Sequence, residues 1–427
     1  MIEGIHVLNI LKKHFNRLYQ KPTIIQKKVY QPLLAGKNVV GLSPTGSGKT
    51  VAFLLPLLSR ISDQKSTQLL IFEPSQELAI QISHVAREWG NLFHFKTQSL
   101  TGGANLRRQK DKLKRHPQIV VGTPGRIQAL VSSRKLKLGH LKSVVIDEAD
   151  NLLSGGTLSV IRSVLNQGPS HVQLSYFSAT DTQILHHLKR WFASSAVRVD
   201  VRKLDRTRGP VTHGLLRISR RKRKKMLKML DGIPKFQALV FFDHLKELNQ
   251  TYSFFHHLHI RSVAKLAGYQ GQIPRARAMR GFRNGRVKLL LTTEIAARGL
   301  DIPKLPAVIN YDLPQTAVSY IHRTGRTGRM GNPGLVINFG DDHDFRDLRH
   351  LLNHFNYRFK KIYFYHNRIV DRDQLRQLLK KTRGSYRDRH SKANRKAALK
   401  RQNPRRHYHK RSKNKGMRHK WQILDRR

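Results

Sequence analysis

The stretch GLSPTGSGKTVAF, which begins at Gly41, places two glycines, a lysine and a hydroxyl residue directly after an apolar run. Gly46 and Gly48 permit backbone conformations that a Cβ atom would block, so successive N–H groups can point toward an anion. The next segment, VAFLLPLL, is typical of a buried helix, and a strand, a glycine-rich loop and a helix in this order indicate a phosphate-binding loop. We expect Lys49 to bridge the outer phosphates of a nucleoside triphosphate and the Thr50 hydroxyl to ligate Mg²⁺. The competing interpretation is an ordinary turn before a helix.

The segment SVVIDEAD supplies the acidic residues that such a loop requires. An aliphatic strand is predicted to end at Ile146, and Asp147 and Glu148 follow it directly. Asp147 is expected to hold Mg²⁺ through water, and Glu148 to orient or deprotonate the attacking water molecule. The residues alone therefore predict hydrolysis of a nucleoside triphosphate.

The segment HRTGRTGR contains three arginines at intervals of three residues, Arg323, Arg326 and Arg329. Guanidinium groups suit the oxygens of a γ-phosphate and the charge that develops on them. Because these arginines lie far from Lys49 in the sequence, they would act there only when two domains close around the nucleotide. The alternative is a basic loop that binds RNA.

Short apolar runs that alternate with helical patterns must position these residues. NVVGL, LLIF, IVVG, VVID and LSYFS occur before residue 200, and ALVFF, VKLLLT, AVINY and GLVINFG occur after it. Such runs are typical of strands buried in parallel sheets. The fold class is therefore predicted to be α/β, with two domains. The predicted ranges are 1–200 for the first domain, 201–212 for a linker, 213–372 for the second domain and 373–427 for a basic tail.

The composition favours a nucleic-acid partner. The 427 residues include 82 Lys and Arg against 26 Asp and Glu, a formal net charge of +56. Such an excess repels itself unless a polyanion is present, although acidic lipid or an acidic protein partner is the alternative. The chain has no cysteine, which excludes disulfides and thiolate metal sites. It also has no apolar run of membrane-spanning length and no signal-peptide pattern, so we expect a cytoplasmic protein without a membrane partner. The acting form is expected to be a monomer.

Two basic segments stand out against this background. From Lys381 to the end, 19 Lys and Arg face 2 Asp, a net charge of +17. This tail is expected to be disordered when free, and together with SRRKRKK, Ser219 to Lys225, to add sequence-independent RNA affinity. The alternatives are a solubilising tail and a solvated helix face.

Taken together, the motifs between Tyr19 and Phe339 resemble those of the DEAD-box ATP-dependent RNA helicases, and they occur in the order of that family. The resemblance implies two RecA-like domains joined by a flexible linker, with ATP and Mg²⁺ as cofactors. KPTIIQ resembles the motif that reads adenine, which implies that Gln26 bonds to the base edge and that Tyr19 packs nearby. The implied ATP-binding residues are Tyr19, Gln26, Ser43, Pro44, Thr45, Gly46, Ser47, Gly48, Lys49, Thr50, Asp301, Arg326 and Arg329.

The resemblance also implies residues that couple the ATP site to RNA and residues that grip the RNA backbone. SAT resembles the segment that couples ATP closure to unwinding, which implies that its hydroxyls bond to Asp150 of DEAD and to His322 of HRTGRTGR. The implied coupling residues are Asp150, Ser178, Ala179, Thr180, His322 and Arg323. Glycines that let the RNA backbone approach, and Thr and Arg side chains that donate to phosphate and sugar oxygens, imply contacts that are independent of base sequence. The implied RNA contacts are Pro74, Ser75, Gln76, Gly102, Gly103, Thr123, Pro124, Gly125, Arg126, Gly268, Gln272, Arg275, Thr292 and Arg298.

The chain departs from the family pattern at several positions. Ser75 and Gln76 replace Thr and Arg, Ala267 replaces His, and Glu294 replaces Asp. The aromatic residue that the family places upstream of Gln26 would fall at or before the first residue. These changes spare the lysine, the acids and Arg326, so we expect ATP hydrolysis to survive them, with altered RNA affinity.

The function implied by the resemblance is local unwinding of short RNA duplexes, driven by ATP. Family analogy points to ribosome assembly or RNA remodelling, with ribosomal precursor RNA as the partner. An ATP-dependent RNA clamp with little unwinding and a DNA-acting translocase are the alternatives.

Overall fold

The computed structural model describes residues 2–205, 207, 209–297, 302, 304–329 and 331–380, apart from the side chains of residues 2–8 and 272. One compact unit spans residues 1–371 and contains two α/β halves, each with its own sheet. A second unit begins at residue 372, and its described part is a helix over residues 372–380. The predicted tail from Lys381 onward lies outside the described residues.

The described part of the first half contains a sheet of seven parallel strands. In chain order the strands are β1 (Val39–Leu42), β2 (Leu69–Phe72), β3 (Thr97–Leu100), β4 (Ile119–Gly122), β5 (Ser143–Ile146), β6 (Gln173–Ser178) and β7 (Val197–Asp200). Their order across the sheet is β3-β4-β2-β5-β6-β1-β7. Because the strands are parallel, their carboxyl ends share one edge.

Helices cover both faces of this first sheet. They are α1 (Ile2–Leu18), α2 (Ile24–Leu34), α3 (Lys49–Leu58), α4 (Gln76–Gly90), α5 (Leu106–Leu113), α6 (Pro124–Ser132), α7 (Ala149–Leu152), α8 (Gly155–Leu165), α9 (Gln183–His186) and α10 (Leu188–Phe192), with a 3₁₀ turn at Asn91–Phe93. Successive strand residues enter different apolar clusters, since Val39 packs in one and Val40 in the other. This alternation explains why the central strands are apolar throughout.

The second half, as far as it is described, contains an eight-stranded sheet. The strands are β8 (Val211–Arg217), β9 (Ala238–Phe242), β10 (Val263–Leu266), β11 (Leu289–Thr293), β12 (Ala307–Asn310), β13 (Gly334–Gly340), β14 (Phe359–Tyr365) and β15 (Arg368–Asp371). Their order is β10-β11-β9-β12-β13-β8-β14-β15, and each neighbouring pair is parallel except β14 and β15. The chain passes from β7 to β8 through residues 201–210.

The helices of the second half also cover both faces of its sheet. They are α11 (Arg223–Asp231), α12 (Leu245–His257), α13 (Gln272–Arg283), α14 (Glu294–Ala297), α15 (Ala317–Thr324) and α16 (Asp342–Leu351), with a 3₁₀ turn at Arg220–Lys222. Two apolar clusters again occupy the two faces. Each of the nine apolar runs singled out in the sequence overlaps one of the observed strands, which confirms the predicted α/β class. None of the helices in the described ranges is both long and apolar enough to cross a membrane.

Candidate functional site

The phosphate-binding loop lies at the carboxyl end of β1, between β6 and β7. Its first residue is anchored to the neighbouring strand, because the Ser43 N–H donates to the Ser178 carbonyl over 3.1 Å. Gly46 and Gly48 have φ of 82° and 85°, the left-handed conformation that disfavours other residues. The loop then runs directly into α3, so the unpaired N–H groups of that helix face the loop.

The lysine of the loop is buried, with 8% of its side chain exposed. Its Nζ donates to the carbonyls of Ser43 and Pro44, each over 3.2 Å. The Ser47 hydroxyl donates to the Ser43 hydroxyl over 2.8 Å, which closes the loop on itself. Lys49 is therefore held above the loop, where its charge and the helix dipole favour an anion.

Gln26 ties α2 to the same loop. Its Nε2 donates to the Gly48 carbonyl over 3.2 Å, and its Oε1 accepts from the Thr23 N–H over 2.9 Å in a capping box. A Cβ atom at Gly48 would lie 2.5 Å from that Nε2, so a larger residue there would displace the Gln26 amide. Tyr19, the second predicted adenine contact, is 39% exposed and packs against Phe15 at a ring distance of 5.0 Å.

Asp147 and Glu148 lie at the carboxyl end of β5, two strands from the loop. The Glu148 N–H donates to Asp147 Oδ1 over 2.9 Å, and Glu148 has a φ of 46°, which is unusual for a residue with a side chain. Burial, followed by the charge of Glu148, raises the pKa of Asp147 to about 7, while Lys49 opposes this shift. The site thus concentrates negative charge that a cation would stabilise.

Glu73, at the carboxyl end of the adjacent strand β2, is a third buried acid that the motif analysis missed. Its side chain is fully buried, and neither carboxyl oxygen has a hydrogen-bond partner among the described residues. Burial, and then the charges of Asp147 and Glu148, hold its pKa well above the ordinary value. The sequence feature that could have revealed Glu73 is a charged residue directly after the apolar run LLIF.

The donor set at this edge fits Mg²⁺. Asp147 offers a carboxylate and Thr50, at the second position of α3, offers a hydroxyl, both hard oxygen ligands. A divalent cation would also relieve the raised pKa of Asp147. Glu148, Asp150 and His322 place donor atoms within 4.8 Å of one another, but the imidazole there is already bonded to Asp150 and does not suit Mg²⁺.

A network around Asp150 joins the DEAD segment to the end of β6 and to the second half. Thr180 Oγ1 donates to Asp150, and His322 Nε2 lies 3.0 Å from Asp150 Oδ2. The Ser178 hydroxyl donates to the Thr180 carbonyl over 2.6 Å and so shapes the turn around Ala179. Burial acts to raise the pKa of Asp150, but the bonds from His322 and Thr180 outweigh it and lower the pKa. Burial acts to lower the pKa of His322, and Asp150 reverses this and raises it.

The second half also contacts the phosphate-binding loop directly. Thr45 Oγ1 donates to the Gly325 carbonyl over 3.0 Å, and Arg329 Nε donates to the same carbonyl over 2.9 Å. A Cβ atom at Gly46 would lie 3.3 Å from Arg329 Cγ, so this arginine packs over the loop. Arg326 is buried close enough to His322 to influence its pKa. Two of the three predicted arginines therefore lie beside the loop and the DEAD segment.

Arg323 is engaged differently. Its guanidinium donates to Asp243 over 2.7 Å, to the Asp312 carbonyl over 2.9 Å and to Glu294 over 3.4 Å. All three partners belong to the second half. Glu294, one of the departures from the family pattern, also accepts a hydrogen bond from Ser319. The Glu294 carboxylate thus links α14 to α15 through hydrogen bonds from Ser319 and Arg323.

The RNA-contact residues predicted in the first half gather at the carboxyl ends of β2, β4 and β3, which are neighbours in the sheet. Ser75 caps α4 by accepting from the Leu78 N–H over 3.2 Å, so the replacement of Thr preserves the cap. The Gln76 amide lies against the glycine pair, since a Cβ atom at Gly103 would be 3.3 Å from its Oε1. Further along this edge lie Pro74, Gly102, Thr123, Pro124, Gly125 and Arg126, whose Nη1 donates to the Ala104 carbonyl over 3.3 Å.

The RNA-contact residues predicted in the second half differ from one another in burial and in hydrogen-bond partners. A Cβ atom at Gly268 would meet open space. Arg275 is buried and paired with Glu77 of the first half at 2.6 Å, and it also donates to the Ala267 carbonyl over 2.6 Å. The Thr292 hydroxyl is buried and donates to the Leu266 carbonyl over 3.0 Å. Gln272 begins α13, and its side chain is not described; Arg298 and Asp301 lie outside the described residues.

The basic run at Ser219 is partly structural. Arg223 is buried at the start of α11, where its Nη1 donates to the Tyr311 carbonyl over 2.7 Å and lies 3.2 Å from Asp312. Arg220, Arg221 and Lys222 form an exposed 3₁₀ turn before it. The run therefore offers fewer exposed charges than its sequence suggests.

Comparisons with known proteins agree with this geometry. The family model for DEAD/DEAH box helicases matches residues 23–188, and the model for the helicase conserved C-terminal domain matches residues 221–331. The chain is 38% identical to YfmL of Bacillus subtilis over 320 residues, which cover 75% of this chain and 85% of that protein. It is 34% identical over 334 residues to the DEAD-box ATP-dependent RNA helicase CshC of Bacillus cereus, covering 77% and 85%. The structure of S. cerevisiae Dbp5 bound to RNA and ADP BeF3 matches with a TM-score of 0.75 at 30% identity, covering 82% of this chain and 93% of that one.

Proposed function

This chain belongs to the DEAD-box family of ATP-dependent RNA helicases, and from that premise we propose that ATP and RNA act as joint ligands of a closed arrangement of its two halves. In this proposal the closed halves grip one RNA strand and separate short duplexes locally. ATP hydrolysis reopens the halves and releases the strand. Because both ligands favour the same state, each should strengthen the binding of the other.

The observation that carries the proposal is a set of three contacts between the halves. Thr45 bonds to Gly325 at the phosphate-binding loop, and Asp150 bonds to His322 at the DEAD segment. The third contact, between Glu77 and Arg275, lies at the edge assigned to RNA. Contacts at both the nucleotide side and the RNA side depend on closure, so the two ligands would share its free energy.

The proposed chemistry assigns each residue of the loop region a part. Lys49 and the N-terminus of α3 bind the phosphates, and Thr50 and Asp147 are the residues that would hold Mg²⁺, which neutralises phosphate charge when bound. Glu148 orients or deprotonates the attacking water, which its position directly after Asp147 supports. Arg326 and Arg329 stabilise the charge that develops on the transferred phosphate.

The proposed RNA grip is independent of base sequence. The glycines at positions 102, 103, 125 and 268 let the RNA backbone approach, and Arg126 donates to phosphate oxygens. In this proposal the buried ion pair of Arg275 positions α13, which makes its contribution to RNA binding indirect. The large positive charge supports a structured RNA as substrate, with precursor ribosomal RNA in the cytoplasm as the leading candidate and a monomer as the acting form.

The experiment compares Lys49→Ala with Lys37→Ala, an exposed lysine just before β1. Lys49→Ala should lower RNA-stimulated ATP hydrolysis by about 10²-fold or more, because a charge aimed at the phosphates is lost. Lys37→Ala should behave as the unaltered chain. Retained hydrolysis in Lys49→Ala would refute the assignment of the nucleotide site. A second outcome concerns the unaltered chain: if it turned over slowly, formed long-lived RNA complexes and did not separate strands, a clamp would be favoured.

A further inference from the structure

Two cavities flank α5 at the amino edge of the first sheet, opposite the edge that carries the phosphate-binding loop. The first has a volume of about 600 Å³ and is lined by residues of three segments, 64–67, 107–117 and 134–140. The second has a volume of about 1050 Å³ and lies against the residues that precede and begin β3. Both are lined by Pro117, just before β4, so they are neighbours on one surface.

The side chains that line these cavities are strongly basic. Among the described residues that line the first cavity, the only acid is Asp111, which is paired with Lys114 at 3.2 Å. The described lining of the second cavity contains no acid. We call the following set the α5 surface: Lys65, Arg107, Lys110, Lys114, Arg134, Lys135 and Lys137 of the first cavity, and Arg87, Lys96, Lys112 and Arg115 of the second.

The spacing along α5 and the two residues that follow it produces this arrangement. Arg107, Lys110 and Lys114 recur at intervals of three and four residues and line the first cavity, while Lys112 and Arg115 line the second. Except for Arg87 and Lys110, which are partly exposed, every member of the α5 surface is exposed. Like charges at this density repel one another, and a polyanion that displaces their counterions relieves the repulsion.

The lining chemistry indicates which polyanion fits. Sites for single-stranded RNA combine positive charge with aromatic side chains on which bases stack. The one Phe, Tyr or Trp in the described lining of either cavity is Phe95, and it is buried in the core beneath the surface. Double-helical RNA is instead recognised through its phosphates and sugars, because its bases are already stacked and its major groove is too narrow.

We propose that the α5 surface binds the phosphate backbone of double-helical RNA, as a second RNA site on the first half. It holds the duplex part of a structured substrate while one strand occupies the opposite edge. The inference rests on the proposed function in one respect, that RNA is the substrate. It differs from the proposed function in the form of RNA bound, a duplex rather than a single strand, and in the residues that bind it.

The test uses the full chain with four glutamine substitutions in the α5 surface, Lys110→Gln, Lys114→Gln, Lys135→Gln and Lys137→Gln. A matched control removes the same charge from exposed positions of the second half, Lys228→Gln, Lys235→Gln, Arg261→Gln and Arg286→Gln. The probe is a blunt-ended RNA duplex of about 20 base pairs, longer than the roughly 16 base pairs that a double-stranded RNA-binding domain covers. Fluorescence anisotropy at several salt concentrations gives the affinity and its salt slope.

The α5 variant should bind the duplex about tenfold more weakly, with a salt slope smaller by about two to four, because up to four phosphate contacts are lost. The control should keep the affinity and slope of the unaltered chain. Equal losses in both variants, or no loss in the α5 variant, would overturn the proposal. ATP hydrolysis at saturating single-stranded RNA should be unchanged in both variants. If the unaltered chain itself did not hydrolyse ATP under these conditions, the proposed function would be refuted instead.

Lysine acylation followed by mass spectrometry provides a second, independent readout. The duplex should protect Lys110, Lys114, Lys135 and Lys137 of the unaltered chain, and a single strand of equal length should protect them less. Inorganic polyphosphate serves as the competing anion. Protection by polyphosphate that equals protection by the duplex, at equal phosphate concentration, would overturn the assignment to double-helical RNA.

Discussion

At the scale of single residues, Glu73 shows how charge is managed around the site. Its carboxyl group is fully buried beside Asp147 and Glu148, and burial together with those charges holds its pKa far above the ordinary value. Kept neutral, Glu73 adds no third negative charge to the edge where the nucleotide is expected. The folded chain therefore retains a proton that the unfolded chain releases above a pH of about 4.3.

This difference predicts a specific pH dependence of stability. Between the ordinary pKa and the raised pKa of Glu73, the native state binds more protons than the unfolded state, so the free energy of unfolding falls as pH rises, by up to about 1.4 kcal/mol for each pH unit. Glu73→Gln removes this contribution. The stability of the variant relative to the unaltered chain should therefore increase between pH 5 and pH 8. Urea denaturation without nucleotide or Mg²⁺ measures it.

The control for this experiment is Asp63→Asn, which neutralises an exposed acid in the same half. Because this variant keeps the buried carboxyl group of Glu73, the pH dependence attributed to Glu73 should persist in it. If the Glu73→Gln curve also ran parallel to that of the unaltered chain, Glu73 would be ionised in the folded state and the interpretation of its burial would be wrong.

Gly325 provides a residue-scale test of closure. A Cβ atom there would lie 2.2 Å from Thr45 Oγ1 and 3.0 Å from the Ile321 carbonyl oxygen. Gly325→Ala should therefore hinder the approach of the two halves and lower RNA-stimulated ATP hydrolysis about tenfold or more, since small displacements of catalytic groups are costly. Thr45→Ala, combined with it, removes the nearest atom and should restore part of the activity. Steady-state hydrolysis over a range of RNA concentrations measures both effects.

A matched control for Gly325→Ala is Gly156→Ala in α8, where an added Cβ atom meets nothing within 4 Å. This variant should keep full activity. If the double variant were no more active than Gly325→Ala alone, the contact between Thr45 and position 325 would not be what limits closure.

At the scale of elements, the sequence reveals the strands of the first sheet that are buried on both faces and conceals the two at its edges. LLIF and IVVG are apolar throughout because helices cover both faces of β2 and β4. In contrast, β3 reads TQSL and alternates between partly exposed and buried residues, and β7 reads VRVD and is mostly exposed. Neither edge strand has an apolar run, so neither was predicted. The order of strands also required tertiary structure, because no local signal says that β1 lies between β6 and β7.

The site residues also divide into those that local sequence motifs reveal and those that only the fold brings together. Local motifs predicted the lysine, the acids and the arginines, because their chemistry depends on short spacings. The pairing of Glu77 with Arg275 joins residues 198 positions apart and became visible only in the folded chain. The same holds for the pairing of Arg323 with Asp243 and Glu294, which turns a predicted coupling residue inward.

The contact between α4 and α13 predicts energetic coupling across the two halves. Glu77 and Arg275 are 2.6 Å apart, and 22% and 9% of their side chains are exposed. Glu77→Gln and Arg275→Gln should each weaken the mutual strengthening of ATP-analogue and RNA binding. In a double-mutant cycle, the two effects should be non-additive by about 0.5–3 kcal/mol, as for residues in contact. Equilibrium RNA binding with and without a non-hydrolysable ATP analogue provides the four values.

Arg277→Gln, on the exposed side of α13, is the control, because it removes the same charge without removing the ion pair. It should leave the strengthening of RNA binding by the ATP analogue close to that of the unaltered chain. Additive effects of Glu77→Gln and Arg275→Gln would mean that the pair does not contribute to closure.

At the scale of the whole molecule, positive charge is distributed over separate regions. The segment from Lys381 onward carries a net +17 of the total +56, so most of the excess belongs to the rest of the chain. Part of that remainder lies on the α5 surface and part is neutralised internally, as at Arg223 and Arg323. In the proposed mechanism the ATP and RNA motifs determine where one strand is held, and the exposed charge determines how strongly any RNA is attracted.

Removal of the tail tests whether its charge contributes to RNA affinity separately from the ATP and RNA motifs. A chain that ends at residue 380 should bind RNA more weakly and with a smaller salt slope, because fewer counterions are released. Its ATP hydrolysis at saturating RNA should be nearly unchanged, since the residues at the nucleotide site all precede the cut. A full-length chain whose 19 tail Lys and Arg are replaced by Gln separates charge from length, and it should match the shortened chain. If the shortened chain kept the original salt slope, the tail would not contact RNA phosphates, and the affinity would have to come from the two halves alone.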